Sequence, residues 1–567
     1  MHKQYITYIL ALILSVSSAA LNAGEMDWTA ADSITHDSGL SLMRYFGHGL
    51  GAYPYSLASP HAGMRVRIDG VPLRSVGPFG PDLDMIPAGL VDSLSVGAFN
   101  QINIATRRMT GETPETVTKF LLGTKHRFNF GTLFDHPLSE RSGLVFSGAS
   151  SGSRGASAIE KNSSRSYSLN YHRSLINDVR LLFSSRGWRD RDGLADLETA
   201  SFMGERKSEG TSLMLGIDSV KIGDTGKFSS NVYWQSMNSR FHRFGTRKSI
   251  DDRSAGLNLD YSNVKGNTRY GLSATHDIFS ITSRVHDNAW SRNETDLSGW
   301  LAVPLRFAGM DVSGGIIHSS HYGAGVKGSV EIITGADKPF QVVVTAKVAD
   351  YFPDSGAEFY TSPAFGDSAH TADLEKSHER IFSLGLRDRK GDVKYGLSLF
   401  ATKSETPVFQ ISSTRLTSVS VYSYWPTNSV MCENEFQGVQ GDFQFTKEGA
   451  VDIDFSLHGV LRYGDDHESW PYPNTEFNSE CVLSDKYFNG VLDADLFVNG
   501  RFAVWDEGVA LPEGGHFFLT TGLSLTVGTL ELFYRIENIT NEDPHYFNTM
   551  GWFGRNSMWG VNWRFID

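Results

Sequence analysis

Side chains that could perform chemistry are few in this sequence, and they form no recognisable catalytic set. His318 and His321 in "HSSHYG" could bind a metal ion, but a solvated or interfacial pair is the favoured interpretation. Cys432 and Cys481 lie on two predicted strands that a third strand separates, so free thiols are expected rather than a disulfide. "GHGLG" at Gly47–Gly51 imitates part of a nucleotide-binding loop without the strand and helix that such a loop needs. The sequence therefore predicts neither an enzyme nor a metal or cofactor site.

Acidic side chains are numerous, and their spacing explains them without catalysis. In "VDIDFSLHGVLRY" polar residues alternate with apolar ones, and "VLDADLFVNG" and "LELFYRIEN" repeat the pattern. A period of two is that of a β-strand with one apolar and one polar face. The carboxylates on the polar faces are Asp452, Asp454, Asp493, Asp495 and Glu531. Their placement predicts strands that line a polar lumen, not an acid and base paired for catalysis.

The composition describes a folded chain without a basic surface. Of the 567 residues, 12% are aromatic and 57 are glycine, and the formal net charge is -13 at pH 7. Such an acidic chain offers no field to hold phosphates, so nucleic acid is not an expected partner. After the N-terminal segment, no apolar run reaches the ~20 residues of a spanning helix, which excludes a helical membrane protein.

The N-terminus has the pattern of a secretion signal. A basic start precedes the apolar run Tyr5–Val16, and small residues follow as far as Ala20 and Ala23. Both alanines are candidate cleavage sites. The alternative is an uncleaved membrane anchor, but the apolar run is shorter than a spanning helix. We therefore predict that residues 1–23 are a signal peptide, removed on export.

The rest of the chain alternates short turns with long loops. Short turns include Lys447–Gly449 and Val527–Thr529, whereas Gly187–Gly210 and Glu405–Asn434 are predicted as long loops. The strands between them are about ten residues long, which suits a tilted strand that crosses a bilayer. A soluble sandwich also alternates, but its strands are usually shorter and its polar face meets bulk water. The pattern therefore favours a bacterial outer-membrane barrel.

The number of strands and the end of the chain support this interpretation. Counting from Thr116 gives roughly 22 strands over residues 113–567, a size whose lumen is normally plugged. If both ends of the barrel lie in the periplasm, the count is even, and Thr116–Leu138 must form two strands. The final "MWGVNWRFID" puts Trp559 and Trp563 on its lipid face and looks like the terminal strand that the barrel-assembly machinery reads.

Residues 24–112 lack barrel hairpins and contain "MRVRIDGVPLRSVGPF". The order of "RIDGVPL", "DMIP", "LVDSLSV" and "INIATRR" resembles the plug of the TonB-dependent outer-membrane receptors, and "FQGVQGDFQF" and "YRIENITNEDPHYF" resemble strands of their barrel. Taken alone, Asp-Gly at a hairpin turn is explained by backbone geometry, so the order of the segments carries the resemblance. The residues that match the plug motif are Ile68, Asp69, Gly70, Val71, Pro72 and Leu73. The resemblance implies an all-β transmembrane antiparallel β-barrel with a small N-terminal α+β plug domain at residues 24–112.

Two departures from the family pattern concern transport. Only "GAFNQ" separates Val96 from Ile102, where the family inserts a longer glycine-rich stretch, so the plug is abbreviated. Gly24–Leu40 contains no convincing TonB box, the segment through which TonB pulls such receptors. These departures leave open a second interpretation, a non-energised barrel that is a passive pore or a surface-binding or anchoring protein. An outer-membrane hydrolase is a distant third interpretation.

The resemblance implies an outer-membrane receptor of a Gram-negative-type bacterium, surrounded by outer-membrane lipid. It would bind a scarce solute, such as a metal chelate or siderophore, at its outer face and import it to the periplasm with the TonB complex. Large aromatic side chains on the predicted loops are candidate contacts for the solute, and an interfacial aromatic girdle explains them equally well. They are Trp290, Tyr351, Phe352, Tyr360, Trp425, Trp470, Tyr472 and Trp552.

Overall fold

The structure is a computed structural model of the whole chain. It describes residues 30–31, 40–44, 52–58, 64–74, 83, 86–97, 99–108, 113–124, 126–153, 162–175, 179–196, 201–243, 246–283, 288–334, 340–352, 375–388, 391–415, 422–449, 451–464, 472–505, 514–542, 545–546, 550–551 and 554–566. The predicted signal peptide and most of Gly24–Leu40, in which no convincing TonB box was found, lie outside these ranges. No helix among the described residues has the length and apolar character needed to cross a membrane.

A closed ring of 22 antiparallel strands forms most of the chain, as the alternation predicts. Its first half consists of β7 (Glu115–Gly123), β8 (Phe128–Ser139), β9 (Ser142–Ser153), β10 (Asn162–Ser174), β11 (Arg180–Asp196), β12 (Ser201–Ile222), β13 (Gly226–Arg243), β14 (Thr246–Lys265), β15 (Thr268–Ser283), β16 (Asn288–Pro304) and β17 (Ala308–Ser319). Its second half consists of β18 (Gly323–Thr334), β19 (Phe340–Tyr351), β20 (Ser377–Asp388), β21 (Val393–Arg415), β22 (Tyr422–Lys447), β23 (Asp452–Gly464), β24 (Thr475–Tyr487), β25 (Leu492–Trp505), β26 (Gly514–Val527), β27 (Leu530–Glu537) and β30 (Asn556–Ile566). The ring closes where β30 pairs with β7, and β7 and β8 are the two strands that parity required of Thr116–Leu138.

The two faces of the strands differ as the sequence predicts. In β27, Leu532 and Tyr534 are 48% and 46% exposed, whereas Glu531 and Phe533 between them are buried. On the terminal strand, Trp559 and Trp563 are half-exposed on the outer face. The apolar residues of the outer face therefore contact lipid, and the polar residues face the lumen.

Two regions predicted as long loops are wrong, because the strands continue through them. Most of Gly187–Gly210 belongs to β11 and β12, which pair as far as Asp196 and Ser201. Most of Glu405–Asn434 likewise belongs to the paired strands β21 and β22. A strand that extends beyond the bilayer has no lipid face, so its sequence loses the apolar alternation by which spanning strands are recognised.

Smaller sheets precede and follow the ring strands along the chain. β1 (Leu40–Arg44) and β2 (Ala52–Ser56) form a hairpin, and β28 (His545–Tyr546) and β29 (Met550–Gly551) form another near the end of the chain. A four-stranded sheet has the order β4-β3-β6-β5. Its strands are β3 (Arg65–Ile68), β4 (Val71–Pro72), β5 (Val91–Gly97) and β6 (Gln101–Thr106), and a 3-10 turn at Ala88–Leu90 precedes β5.

We call β1 to β6 together the inner sheets. Their apolar side chains form one core, in which Leu40, Val66, Ile68, Ile102 and Ile104 are almost completely buried. The alternation of buried residues along β3 and β6, which pair in parallel, supplies the centre of this core. The other face of the four-stranded sheet is thereby left for contacts with the ring.

Candidate solute-binding lumen

The inner sheets lie within the ring, because their hydrogen bonds reach strands that run around it from β10 to β24. Arg67 contacts β14 and β15, Asn100 contacts β19 and β20, and Tyr55 contacts β24. Thr402 of β21 and Arg462 of β23 donate to backbone carbonyls of Ala58 and Leu57. The barrel partners are inward-facing side chains, so the contacts cross the lumen.

The Asp69–Gly70 turn of the sequence motif is held to the wall by amides. Asp69 and Gly70 have φ angles of 51° and 83°, which a two-residue hairpin turn needs and which Asp and Gly tolerate. Asn231 donates its side-chain N–H to the carbonyl of Asp69 at 3.2 Å, and Asn258 donates to that of Gly70 at 3.1 Å. The motif therefore positions a turn whose exposed carbonyls bind two neighbouring strands of the barrel.

Two arginines next to this turn form ion pairs with the wall. Arg67 Nη2 lies 3.2 Å from Asp277 Oδ2, and the other oxygen of Asp277 accepts from the Tyr233 hydroxyl at 2.5 Å. Arg74 Nη2 lies 3.2 Å from Asp252 Oδ2, and its guanidinium covers the ring of Phe279 at 4.1 Å. The Asp277 carboxylate raises the pKa of Arg67. These pairs tie both ends of the motif to β14 and β15.

A buried charged cluster holds the turn between β5 and β6. Lys347 Nζ lies 2.6 Å from Glu379 Oε2, and both side chains are almost fully buried. Asn100 accepts from Lys347 at 2.7 Å and donates to Glu379 at 3.2 Å. Tyr351 completes the cluster by donating to Glu379 at 2.9 Å. Every strong polar group of the cluster thus has a partner, as a buried ion pair requires.

A third cluster holds the β1–β2 hairpin. Glu476 accepts hydrogen bonds from the Tyr55 hydroxyl and, at 2.6 Å, from Ser41, and its carboxylate lies 3.0 Å from Arg501 Nε. Burial and the nearby Glu476 carboxylate raise the pKa of the Tyr55 hydroxyl well above its usual range. The ring of Tyr472 lies 4.6 Å from that of Tyr55. Glu476 therefore connects both strands of the hairpin to the barrel.

Three of the predicted loop aromatics lie in these contacts and are not exposed. Tyr351 and Phe352 are about 6% and 5% exposed, and Phe352 stacks on Tyr322 at 5.9 Å. The prediction that they are exposed is wrong. Tyr351 is the last residue of β19 and Phe352 follows it, and both side chains lie next to the inner sheets. Tyr472 is half-buried against Tyr55.

The other predicted aromatics are not brought together by the described residues. Trp290 and Trp425, predicted on loops, belong instead to strands β16 and β22. Tyr360, Trp470 and Trp552 lie outside the described residues. Within the described part of the chain, no group of three or more His, Cys, Asp or Glu side chains is placed to hold a metal ion, and Cys481 forms no disulfide there.

Sequence reasoning did not single out the charged residues that hold the inner sheets. In the sequence these residues occupy ordinary inward positions of alternating strands; they are Lys347, Glu379, Glu476 and Asp277. Their partners on the inner sheets are more than 200 residues away along the chain. One signal in the sequence could have indicated them: they are ionisable residues in the middle of strands that also carry an apolar lipid face.

The fold was compared with known proteins. No protein-family model and no curated protein matches the sequence. Among solved structures, the FrpB iron transporter from Neisseria meningitidis (F3-3 variant) superposes with a TM-score of 0.73 at 11% identity, over 97% of this chain and 99% of that one. The copper transporter OprC gives 0.72 at 13% identity, over 95% and 96% of the two chains. The ferric enterobactin receptor PfeA gives 0.70 at 12% identity, over 95% and 97%.

The chain has the fold of the TonB-dependent outer-membrane receptors. The superposition covers both the ring and the inner sheets, since it spans nearly the whole of each chain. A 22-strand ring of this receptor fold is an outer-membrane protein, in agreement with its lipid-facing strands. The neighbours are described as transporters and receptors, and at 11–13% identity the likeness shows the fold that this chain shares with them.

The receptor fold of this chain has a short connection where the sequence departs from the family. β5 and β6 pair as a hairpin from Gly97 and Gln101, and Asn100 in the turn has a φ of 50°. The short "GAFNQ" is therefore the turn of a hairpin, and its Asn100 is the residue held by Lys347 and Glu379.

Proposed function

We propose that the protein is a TonB-dependent transporter that captures a scarce solute, such as a metal chelate or siderophore, at its outer face and imports it to the periplasm. The observation that carries the proposal is the set of inner sheets bound across the lumen of a 22-strand ring. A barrel of this size would be open without such a domain. In this proposal residues 24–112 are the plug, residues 113–567 are the barrel, and residues 1–23 are a signal peptide that is cleaved.

The contacts between the inner sheets and the wall suit a plug that moves. They are mainly hydrogen bonds between polar groups, with ion pairs such as Arg67–Asp277 and Lys347–Glu379. Water can replace such partners when they separate, whereas a permanent interface usually buries an apolar surface. The inner sheets keep their own apolar core, so they can leave the wall without losing it.

The solute itself is proposed by analogy with the neighbours. FrpB, OprC and PfeA are described as an iron transporter, a copper transporter and a ferric enterobactin receptor. We propose that the predicted aromatics at the long-connection end contact such a chelate, with Tyr351 and Tyr472 next to the inner sheets. The assembly machinery that reads the terminal strand would insert the barrel.

The test is binding of a soluble periplasmic TonB fragment to the detergent-purified protein, with deletion of residues 24–39 as the control. We expect binding that the deletion abolishes, because in this proposal TonB contacts the segment before β1. Ala30 and Ala31 of that segment pack in the core of the inner sheets, so the folding of the deleted protein is checked in the same experiment. A folded protein that binds no fragment at high concentration would contradict energised transport.

A non-energised pore or surface-binding protein is the second candidate. The short β5–β6 hairpin favours it, because the turn at Asn100 replaces the longer plug segment of the family. Passive entry of small sugars into proteoliposomes, unaffected by the TonB fragment, would support this second function and exclude the first.

A further inference from the structure

One side of the lumen carries a continuous row of polar side chains. Ser168 of β10, Arg186 of β11, Ser212 of β12, Gln235 of β13 and Ser254 of β14 lie directly opposite one another in successive strand pairs. All five side chains are more than nine-tenths buried. We call these five residues the polar row.

The polar row has buried atoms without partners. Among the described residues, the hydroxyls of Ser168, Ser212 and Ser254, Nε of Arg186 and Nε2 of Gln235 have no hydrogen-bond partner. Buried polar groups in folded proteins are nearly always satisfied, so a row of five such groups requires an explanation. The explanation we consider is that the row binds something other than the protein.

Arg186 gives the row its charge. Its described hydrogen bond runs from Nη2 to the carbonyl of Ile68 at 3.1 Å. The Asp69 carboxylate acts on the guanidinium electrostatically, but both of its oxygens already accept hydrogen bonds from Thr106, and no carboxylate of the described residues forms an ion pair with Arg186. A buried cation is normally paired with an anion. The two arginines of the inner sheets next to the motif, Arg67 and Arg74, by contrast each form an ion pair with a carboxylate of the wall.

A cavity lies beside this guanidinium. It measures about 40 Å³, and three residues of the polar row line it, Arg186, Ser212 and Gln235, next to Tyr167 and Trp188 of the wall. Apolar residues of the inner sheets, among them Val71, Pro72 and Leu73, line the opposite side. Proline has no N–H, and valine and leucine have apolar side chains, so this segment offers few partners to the row. The volume is enough for a small anion or for water.

We propose that the polar row is an anion-binding site centred on Arg186, and that it holds anionic oxygens of the solute in transit once the Val71–Leu73 segment moves away. Its ligands are carboxylate-type or other anionic oxygens, which accept hydrogen bonds from the guanidinium, the serine hydroxyls and the amide. The transit role rests on the proposed transport function, whereas binding of an anion does not.

Anion binding is tested by soaking crystals of the detergent-purified protein in bromide and locating bromide by anomalous scattering. A peak beside Arg186 is expected in the wild type and in Arg253→Met, because Arg253 lies on the opposite face of β14. The peak should be lost in Arg186→Met and kept in Arg186→Lys. No peak in the wild type, or a peak that survives Arg186→Met, overturns the site and makes any bound bromide an adventitious ion only.

The transit role is tested with ⁵⁵Fe-labelled ferric enterobactin and ferric citrate in cells that lack other receptors for these chelates. In Arg186→Met the initial uptake rate should fall about tenfold, the effect of losing one charged hydrogen bond, with surface binding unchanged. Gln235→Leu should lower the rate in the same direction, and Arg253→Met should not change it. Uptake by Arg186→Met at the wild-type rate overturns the transit role. Absence of uptake in the wild type overturns the import of these chelates and therefore their transit past Arg186. In that case the bromide experiment alone decides whether the anion site exists.

Discussion

The carboxylate of Asp69 bridges the hairpin turn of the plug motif to the end of β6 through Thr106. One oxygen accepts the Thr106 backbone N–H at 2.9 Å, and the other accepts its hydroxyl at 2.6 Å. The Thr106 hydroxyl in turn accepts from Asn170 of the barrel at 3.0 Å. Asp69 therefore does more than allow a positive φ, because it fixes the turn to the strand that leads into the barrel.

Replacing Asp69 by Ala should loosen the turn. The change removes two hydrogen bonds to a charged acceptor and leaves the Thr106 N–H without its partner, which should cost about 2–3 kcal/mol of local stability. Hydrogen exchange of the amides in residues 64–74 measures this local free energy. Asp69→Asn keeps one acceptor oxygen and should lose less. Equal exchange in the wild type and Asp69→Ala would contradict the role of the bridge.

Gly70 should tolerate no side chain, for two separable reasons. Its φ of 83° is unfavourable for any L-residue, and a Cβ there would lie 3.0 Å from Nδ2 of Asn231 and 3.2 Å from Nδ2 of Asn258. Gly70→Ala should therefore cost more than the roughly 1–2 kcal/mol of the backbone conformation alone. Gly266→Ala is the control, because Gly266 has a φ of 60° and no atom within 4 Å of the added Cβ.

The comparison between the two glycine variants uses the same measurement, thermal unfolding together with hydrogen exchange near each turn. We expect Gly70→Ala to increase exchange in the motif and Gly266→Ala to affect only its own hairpin. If both variants lose the same local stability, then the contacts of Gly70 with Asn231 and Asn258 add nothing to the cost of the backbone conformation.

The alternation of the sequence was sufficient to predict the ring and its lipid face. Each spanning strand must present apolar residues to lipid at every second position, so β27 and β30 could be recognised one by one. The inward residues obey a weaker rule, polarity alone, which does not say which of them meets the inner sheets. Lys347, Glu379 and Glu476 therefore look like any lumen residue until the long-range pairing is known.

The two extended hairpins were missed for a related physical reason. Beyond the bilayer, the backbone hydrogen bonds of β11–β12 and β21–β22 continue although neither face needs to be apolar. The same limit affects the aromatics: an exposed loop was expected at Tyr351, but its ring turns inward to Glu379. The motif at Ile68–Leu73 was recognisable from its place in the order of the segments, because an Asp-Gly turn taken alone is explained by backbone geometry.

Breaking the buried Lys347–Glu379 pair should be strongly destabilising. Lys347→Met leaves the Glu379 carboxylate buried without its cation, at an expected cost of about 3–5 kcal/mol. Guanidinium unfolding of the purified protein, with exchange near Asn100 as a local readout, measures the loss. The double variant Lys347→Met/Glu379→Leu should recover most of it, because it leaves no unpaired charge.

The exposed pair of Lys403 and Glu435 is the control for this prediction. Its side chains are 48% and 67% exposed, and the two charges lie 2.6 Å apart. The distance is therefore the same as in the Lys347–Glu379 pair, whereas the burial differs. Lys403→Met should change the free energy of unfolding far less than Lys347→Met does, because solvent screens an exposed pair. Similar losses at the two sites would mean that burial does not set the strength of the contact between Lys347 and Glu379.

The β1–β2 hairpin should detach from the wall at alkaline pH. Burial and the Glu476 carboxylate raise the pKa of Tyr55, so the folded state favours the neutral phenol. The resulting stabilisation is fully present below the ordinary tyrosine pKa of about 10 and is lost as the pH rises above it, since only the unfolded or detached state ionises readily. Tyr55→Phe removes this titration, and Tyr534→Phe, at a half-exposed outer-face position, is the control. Other buried tyrosines also ionise late, so the amplitude of the late rise in phenolate absorbance should be smaller by one tyrosine in Tyr55→Phe than in the wild type and in Tyr534→Phe. The same late amplitude in wild type and Tyr55→Phe would show that Tyr55 is not held neutral by Glu476.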